Sequence, residues 1–150
     1  MKNLILDIGI CVFILGLGIS ACKSNTMTSK NEQTITTESL VEKKWKLIEI
    51  NGVALSSMNP QPAIEAFILF RAGENRVSGV SGCNNFTGTY KLGSGATLQF
   101  SGVASTRKMC IDMTVEDQMN KLFQTVDSYT IQEGILSLKQ GATVLARFVL

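Results

Sequence analysis

The sequence predicts an α+β domain, with a curved antiparallel sheet of about 7–8 short strands, an incomplete barrel-like meander, packed with one α-helix. Three observations predict it. From Trp45 onward, short apolar or alternating runs are separated by turns rich in glycine and asparagine. One segment alone switches to helical spacing, with Val115, Met119, Leu122, Phe123 and Val126 at intervals of 4, 3, 1 and 3. The chain ends on Phe148-Val149-Leu150, apolar enough to tie the terminus into the sheet.

Trp45–Ile50 begins with period-two alternation and runs into Asn51-Gly52, a tight-turn signal that leads into Val53–Leu55. Ser56–Ala63 holds both prolines and reads as a loop, because proline cannot donate within a sheet. Phe67–Phe70 (F-I-L-F) reads as a buried strand, and Ala72–Asn75 turns the chain into a strand at Arg76–Val80. Beyond Cys83, the residues Phe86, Gly88, Tyr90 and Leu92 alternate on one face. Gly93-Ser94-Gly95 closes a hairpin into Thr97–Phe100, followed by a short piece at Val103–Ser105. Thr114 is the expected N-cap of the helix, with Glu116 and Asp117 favourably placed in its first turn. Strands are expected at Tyr129–Gln132, Ile135–Lys139 and Thr143–Leu150.

The first 21 residues read as an address. Lys2 is followed by the apolar run Leu4–Ile19, too short to span a bilayer comfortably and ending in small residues, as a secretory signal peptide does. Ile19-Ser20-Ala21-Cys22 fits the bacterial lipobox, in which the cysteine thiol carries diacylglycerol and becomes the mature N-terminus. Lipid chains on Cys22 exceed the two-signal threshold for stable anchoring. The expected location is the cell envelope, lipid-anchored at the outer membrane and facing the periplasm. Residues 22–40 are polar and read as a flexible tether, leaving 41–150 as the folded domain.

The formal net charge of +2 gives no reason to propose nucleic acid, and Lys43-Lys44-Lys46 reads as a solvated strand edge. With Cys11 in the signal peptide and Cys22 acylated, Cys83 and Cys110 remain, 27 positions apart. In an oxidising compartment they read as a structural bridge worth about 3.5 kcal/mol. The rival reading is a reactive thiol pair, for which only Arg107 and Lys108 lie near enough in sequence to lower a pKa.

The absence of histidine removes Ser-His and Cys-His catalysis and histidine-ligated zinc. The glycine-rich stretch lacks a P-loop lysine, and the cysteines are not C-x-x-C. Asp112, Glu116 and Asp117 form the closest acidic group, at positions where helix-start carboxylates belong. No enzyme activity, cofactor or metal is expected, and the domain is expected to be a monomer.

A tryptophan-led strand into I-N-G, then F-I-L-F, V-S-G-V-S-G-C-N-N-F-T-G-T-Y and T-R-K-M-C, a helix and a final L-x-L strand pair together resemble the META domain, the HslJ-like family. The resemblance covers about Leu40–Leu150. It implies a small, often lipid-anchored or exported bacterial domain with a curved antiparallel sheet around a helix. It further implies an association with heat response and novobiocin resistance, with no established enzymatic activity.

Asn84, Thr106 and Arg107 are the candidate binding residues, polar groups expected to converge beside the bend at Cys83. Arg107 is the one guanidinium in that cluster. The expected function is a non-catalytic envelope lipoprotein of stress tolerance or envelope integrity that binds another envelope component. The first alternative is a carrier or pilot-type chaperone, holding a lipid or hydrophobic tail in a cavity lined by Phe67, Leu69, Phe86, Tyr90, Phe100 and Phe123. The second is a thiol-redox protein using Cys83 and Cys110.

Overall fold

The computed structural model describes residues 40–150. The expected signal peptide, Cys22 and the tether as far as residue 39 lie outside the described residues. The elements are β1 (Lys44–Ile50), β2 (Val53–Ala54), β3 (Phe67–Arg71), β4 (Arg76–Val80), β5 (Asn85–Leu92), β6 (Leu98–Ser105), α1 (Thr114–Thr125), β7 (Ser128–Gln132), β8 (Ile135–Gln140) and β9 (Thr143–Val149).

Every strand pairing is antiparallel. The sheet runs β6-β5-β4-β3-β1-β9-β8-β7, with β2 paired to β1 at the side. It is curved and open, as the sequence predicts. Its two end strands meet only where Thr97 bridges Ser128 and the Leu98 N–H donates to the Asp127 carbonyl at 3.0 Å. The C-terminal strand lies in the middle of the sheet, between β1 and β8, so the chain end is tied in.

Alternation decides which side chains enter the core. On β3, Ile68 and Phe70 are fully buried, while Phe67 and Leu69 face the other way and are half-buried. On β5, Phe86 and Tyr90 point inward and Thr87, Thr89 and Lys91 are exposed. On β1 the inward set is Trp45, Leu47 and Ile50, and the break in period two coincides with a bulge between Leu47 and Glu49. The helix turns Val115, Met119, Leu122 and Phe123 into the core. Phe123 stands 4.5 Å from Phe86 and 5.2 Å from Phe100, ring centre to ring centre, and Phe70 lies 5.2 Å from Tyr90.

Five expectations are corrected. Leu40 is a core residue, fully buried with its carbonyl accepting the Trp45 indole N–H at 2.8 Å, so the folded part includes it. The pieces expected at Thr97–Phe100 and Val103–Ser105 are one strand, Leu98–Ser105, because a register shift at Gly102 (φ +58°) absorbs the residue that breaks the pattern. Thr114 is the first helical residue, and its N–H is satisfied by Asp112 Oδ1 at 2.8 Å. The six aromatic and aliphatic residues expected around a ligand cavity do not surround one space. Phe67 and Leu69 lie on the opposite face from the rest, and Phe86 and Phe100 each pack against Phe123, with Phe100 and Phe123 also lining a groove between β6 and α1.

Lys44 and Lys46 both pair with Glu65, at 2.7 and 3.2 Å, and Lys44 lies over the Phe67 ring. Lys44 and Lys46 thus lie on the outer face of β1, which is paired on both sides by β3 and β9, so the cluster is not at a sheet edge as the sequence suggests.

Candidate functional site

The site is built where β4 hands over to β5. Gly79 is required near the end of β4, since a Cβ there would stand 2.0 Å from the Phe67 carbonyl oxygen and under 3 Å from the Phe86 ring. The chain then folds into the turn Ser81–Asn84, closed by the Ser81 N–H donating to the Asn84 carbonyl at 2.9 Å, with the Ser81 hydroxyl oxygen 3.1 Å from the same carbonyl. Gly82 takes φ +130° in this turn, against the start of α1.

This turn presents its donors to one carboxylate. Glu116 Oε2 accepts the Ser81 hydroxyl at 2.7 Å, the Asn84 N–H at 3.0 Å and the Cys83 N–H at 3.2 Å. Glu116 is buried, with 3% of its surface exposed. Burial pushes its carboxyl up, and the bonds from Ser81, Asn84, Cys83 and Asn120 more than offset that, so its pKa lies below the ordinary carboxylate value.

The side chain of Asn84 faces the other way and holds the segment after β6. Its Oδ1 accepts the Thr106 hydroxyl and the Lys108 N–H, each at 2.7 Å, and its Nδ2 donates to the Lys108 carbonyl at 3.1 Å. Thr106 N–H continues the ladder by donating to the Asn85 carbonyl at 3.0 Å. Cys83 and Cys110 are joined in a disulfide, with their Cα atoms 6.1 Å apart. Asp112 then meets the first turn of α1, where the Thr114 hydroxyl and N–H hold its carboxyl below the usual range.

Residues Thr106–Asp112 therefore alternate in role. Thr106, Lys108, Cys110 and Asp112 are fastened to the domain by backbone, disulfide or helix-start bonds. Arg107, Met109 and Ile111 are directed outward, with Met109 91% and Ile111 fully exposed. Among the described residues, neither Arg107 nor Lys108 forms an ion pair.

Two grooves flank the segment, and Glu116 lines both. One, of about 980 Å³, runs between β6 and α1 past Asn84, Arg107, Lys108, Asp117 and Asn120. The other, of about 490 Å³ and largely apolar, lies between Pro60–Ile64 and Met109–Asp112.

Of the three candidate binding residues, Asn84 and Thr106 meet through one hydrogen bond, whereas Arg107 stands exposed beside them. Sequence reasoning missed Glu116 as a buried acceptor and Ser81 as its donor. The spacing Glu116, Met119, Phe123 places Glu116 on the apolar stripe and is the signal that could have found it.

The family model of the META domain matches residues 38–149, which span the whole described domain except its last residue. The chain belongs to the META domain family. Its META domain is similar in fold to an NMR structure of a protein from Burkholderia xenovorans, with TM-score 0.60 and 21% identity over 75% of this chain and 83% of that one. A second protein solved by NMR gives TM-score 0.56 and 25% identity, over 75% and 92%. A DUF4847 family protein from Bacteroides vulgatus, solved by crystallography, gives TM-score 0.54 and 14% identity, over 75% and 94%. No curated protein matches the chain.

Proposed function

We propose that this META domain is a non-catalytic, lipid-anchored binding module of the bacterial envelope, acting in stress tolerance or envelope integrity, and that Thr106–Asp112 is its contact surface. One observation carries the reading. Arg107, Met109 and Ile111 are displayed outward from a segment whose intervening residues are fastened at every step. Large apolar side chains left in water on a fixed base are the pattern of an interaction site, because their contact loses little conformational entropy on binding. The domain would sit on the envelope through Cys22, and Arg107 would supply the polar anchor of the contact.

The test is a photoreactive residue at position 109 in cells producing the full chain. An adduct with an envelope component at position 109, absent for the same residue at Lys91 on β5, supports the reading. Equal labelling at the two positions contradicts it.

A further inference from the structure

We propose that the contact partner of Thr106–Asp112 is an anionic bilayer surface, into which Met109 and Ile111 insert while Arg107 and Lys108 bind lipid phosphates. This deepens the contact-surface reading above and rests on it.

The shape of the segment favours lipid over a protein groove. Met109 is 91% exposed and Ile111 fully so: both stand at the rim of the apolar groove that faces Pro60–Ile64, and neither side chain is covered. They form a convex apolar tip, and Ile64 on the neighbouring loop, 43% exposed, widens it. An acyl-chain boundary closes around a convex apolar tip without requiring a complementary pocket. A protein partner would have to supply one.

Charge complementarity points the same way. Arg107 immediately precedes Lys108, both are exposed, and neither is paired among the described residues. Their long stems let the charged heads stay at phosphate level while Met109 and Ile111 go deeper. The nearby carboxylates are Asp112, Glu116 and Asp117. Asp112 accepts the Thr114 N–H, Glu116 is buried under three donors, and Asp117 lies in the first turn of α1 beside the positive end of the helix dipole. Arg107 and Lys108 are thus the cations at the tip, and among the described residues neither they nor the exposed Asp112 and Asp117 enter an ion pair.

The base is already ordered by Asn84 and the Cys83–Cys110 disulfide, so insertion need not fix a floppy loop. If Cys22 holds the chain on a membrane, the tip meets that surface at high effective concentration, and a weak insertion suffices.

The test uses the full, disulfide-intact chain carrying Met109→Trp, mixed with an excess of vesicles of phosphatidylethanolamine and phosphatidylglycerol whose acyl chains are brominated. Trp45, the native tryptophan, is 1% exposed and gives a constant background. The expected result is a blue shift and loss of emission from the indole introduced at position 109. Both should be reduced by Arg107→Glu with Lys108→Glu, by Ile111→Asp, and by replacing the anionic lipid with phosphatidylcholine. Lys91→Trp, six residues along β5 from Asn85 and roughly 20 Å away, should stay unquenched. Flotation of the chain carrying Arg107→Glu, Lys108→Glu and Ile111→Asp, which removes the tip's own hold, reads the anchor separately. An unquenched indole at position 109, while that variant floats, overturns the lipid contact, leaves the anchor standing and returns the surface to a protein partner. The same unquenched indole with a variant that does not float overturns both, and quenching without flotation of the variant supports the tip and contradicts the anchor.

Discussion

Glu116 Oε2 lies 3.0 Å from the backbone nitrogen of Asn84, and this contact couples the helix to the segment that the domain displays. The backbone of Asn84 is held by the helix carboxylate, and its side chain holds Thr106 and Lys108. A change at Glu116 should therefore reach Met109 without touching it.

Glu116→Ala should leave the Cys83 and Asn84 N–H groups buried without their acceptor, while the Ser81 hydroxyl can turn to the Asn84 carbonyl. A loss of about 2–4 kcal/mol in folding stability is expected, measured by urea denaturation with the disulfide intact. A loss below about 0.5 kcal/mol would show that the carboxylate does not hold the turn.

Acid should weaken the same joint. The folded-state pKa of Glu116 lies below the ordinary 4.5, so its stabilisation is complete above that value and is lost as the pH falls through the folded-state value. Asp112, held low by the Thr114 hydroxyl and N–H, and Asp127, held low by the Ser128 hydroxyl and the Gly141 N–H, act in the same direction. In melts below pH 4.5, the wild type should lose stability more steeply than Glu116→Gln, which has no carboxylate to protonate. Parallel pH profiles would contradict the assignment.

Asn84→Ala removes both acceptor bonds and the donor bond to Thr106 and Lys108. It should cost about 1–3 kcal/mol and lower the thermal midpoint even while Cys83–Cys110 stays oxidised. An unchanged midpoint would mean that the disulfide alone fixes the segment.

Replacing Cys83 and Cys110 by alanine opens a loop with a sequence separation of 27. The expected cost is about 3.5 kcal/mol in the chain-entropy model, readable as a shifted denaturation midpoint. Gly79→Ala, whose Cβ would stand 2.0 Å from the Phe67 carbonyl, should cost about 1–3 kcal/mol by forcing β3 and β4 apart. A neutral Gly79→Ala would contradict the close approach.

Much of this fold was legible because its signals are local. Phe86, Tyr90 and the stripe Val115, Met119, Leu122 and Phe123 are buried where periodicity places them. Pairings distant along the chain left no such mark, and the insertion of β9 between β1 and β8 joins residues about a hundred positions apart. Bulges also hid information. One extra residue at Gly102 made a single strand look like two, and the one at Ile48 left that side chain 37% exposed. At the site, the cysteines were readable from their number, whereas Glu116 looked like an ordinary helix-start carboxylate. Its partners Ser81, Cys83 and Asn84 lie 32 to 35 positions earlier, a relation that only the tertiary structure reveals.

The most direct test of a contact segment held in place is amide hydrogen exchange at Lys108 in the oxidised full chain. Its side chain is exposed, yet its N–H donates to Asn84 Oδ1 at 2.7 Å. The predicted result is slow exchange in the wild type and fast exchange in Asn84→Ala. Exchange at the open-chain rate in the wild type would contradict a fixed base beneath Met109 and Ile111.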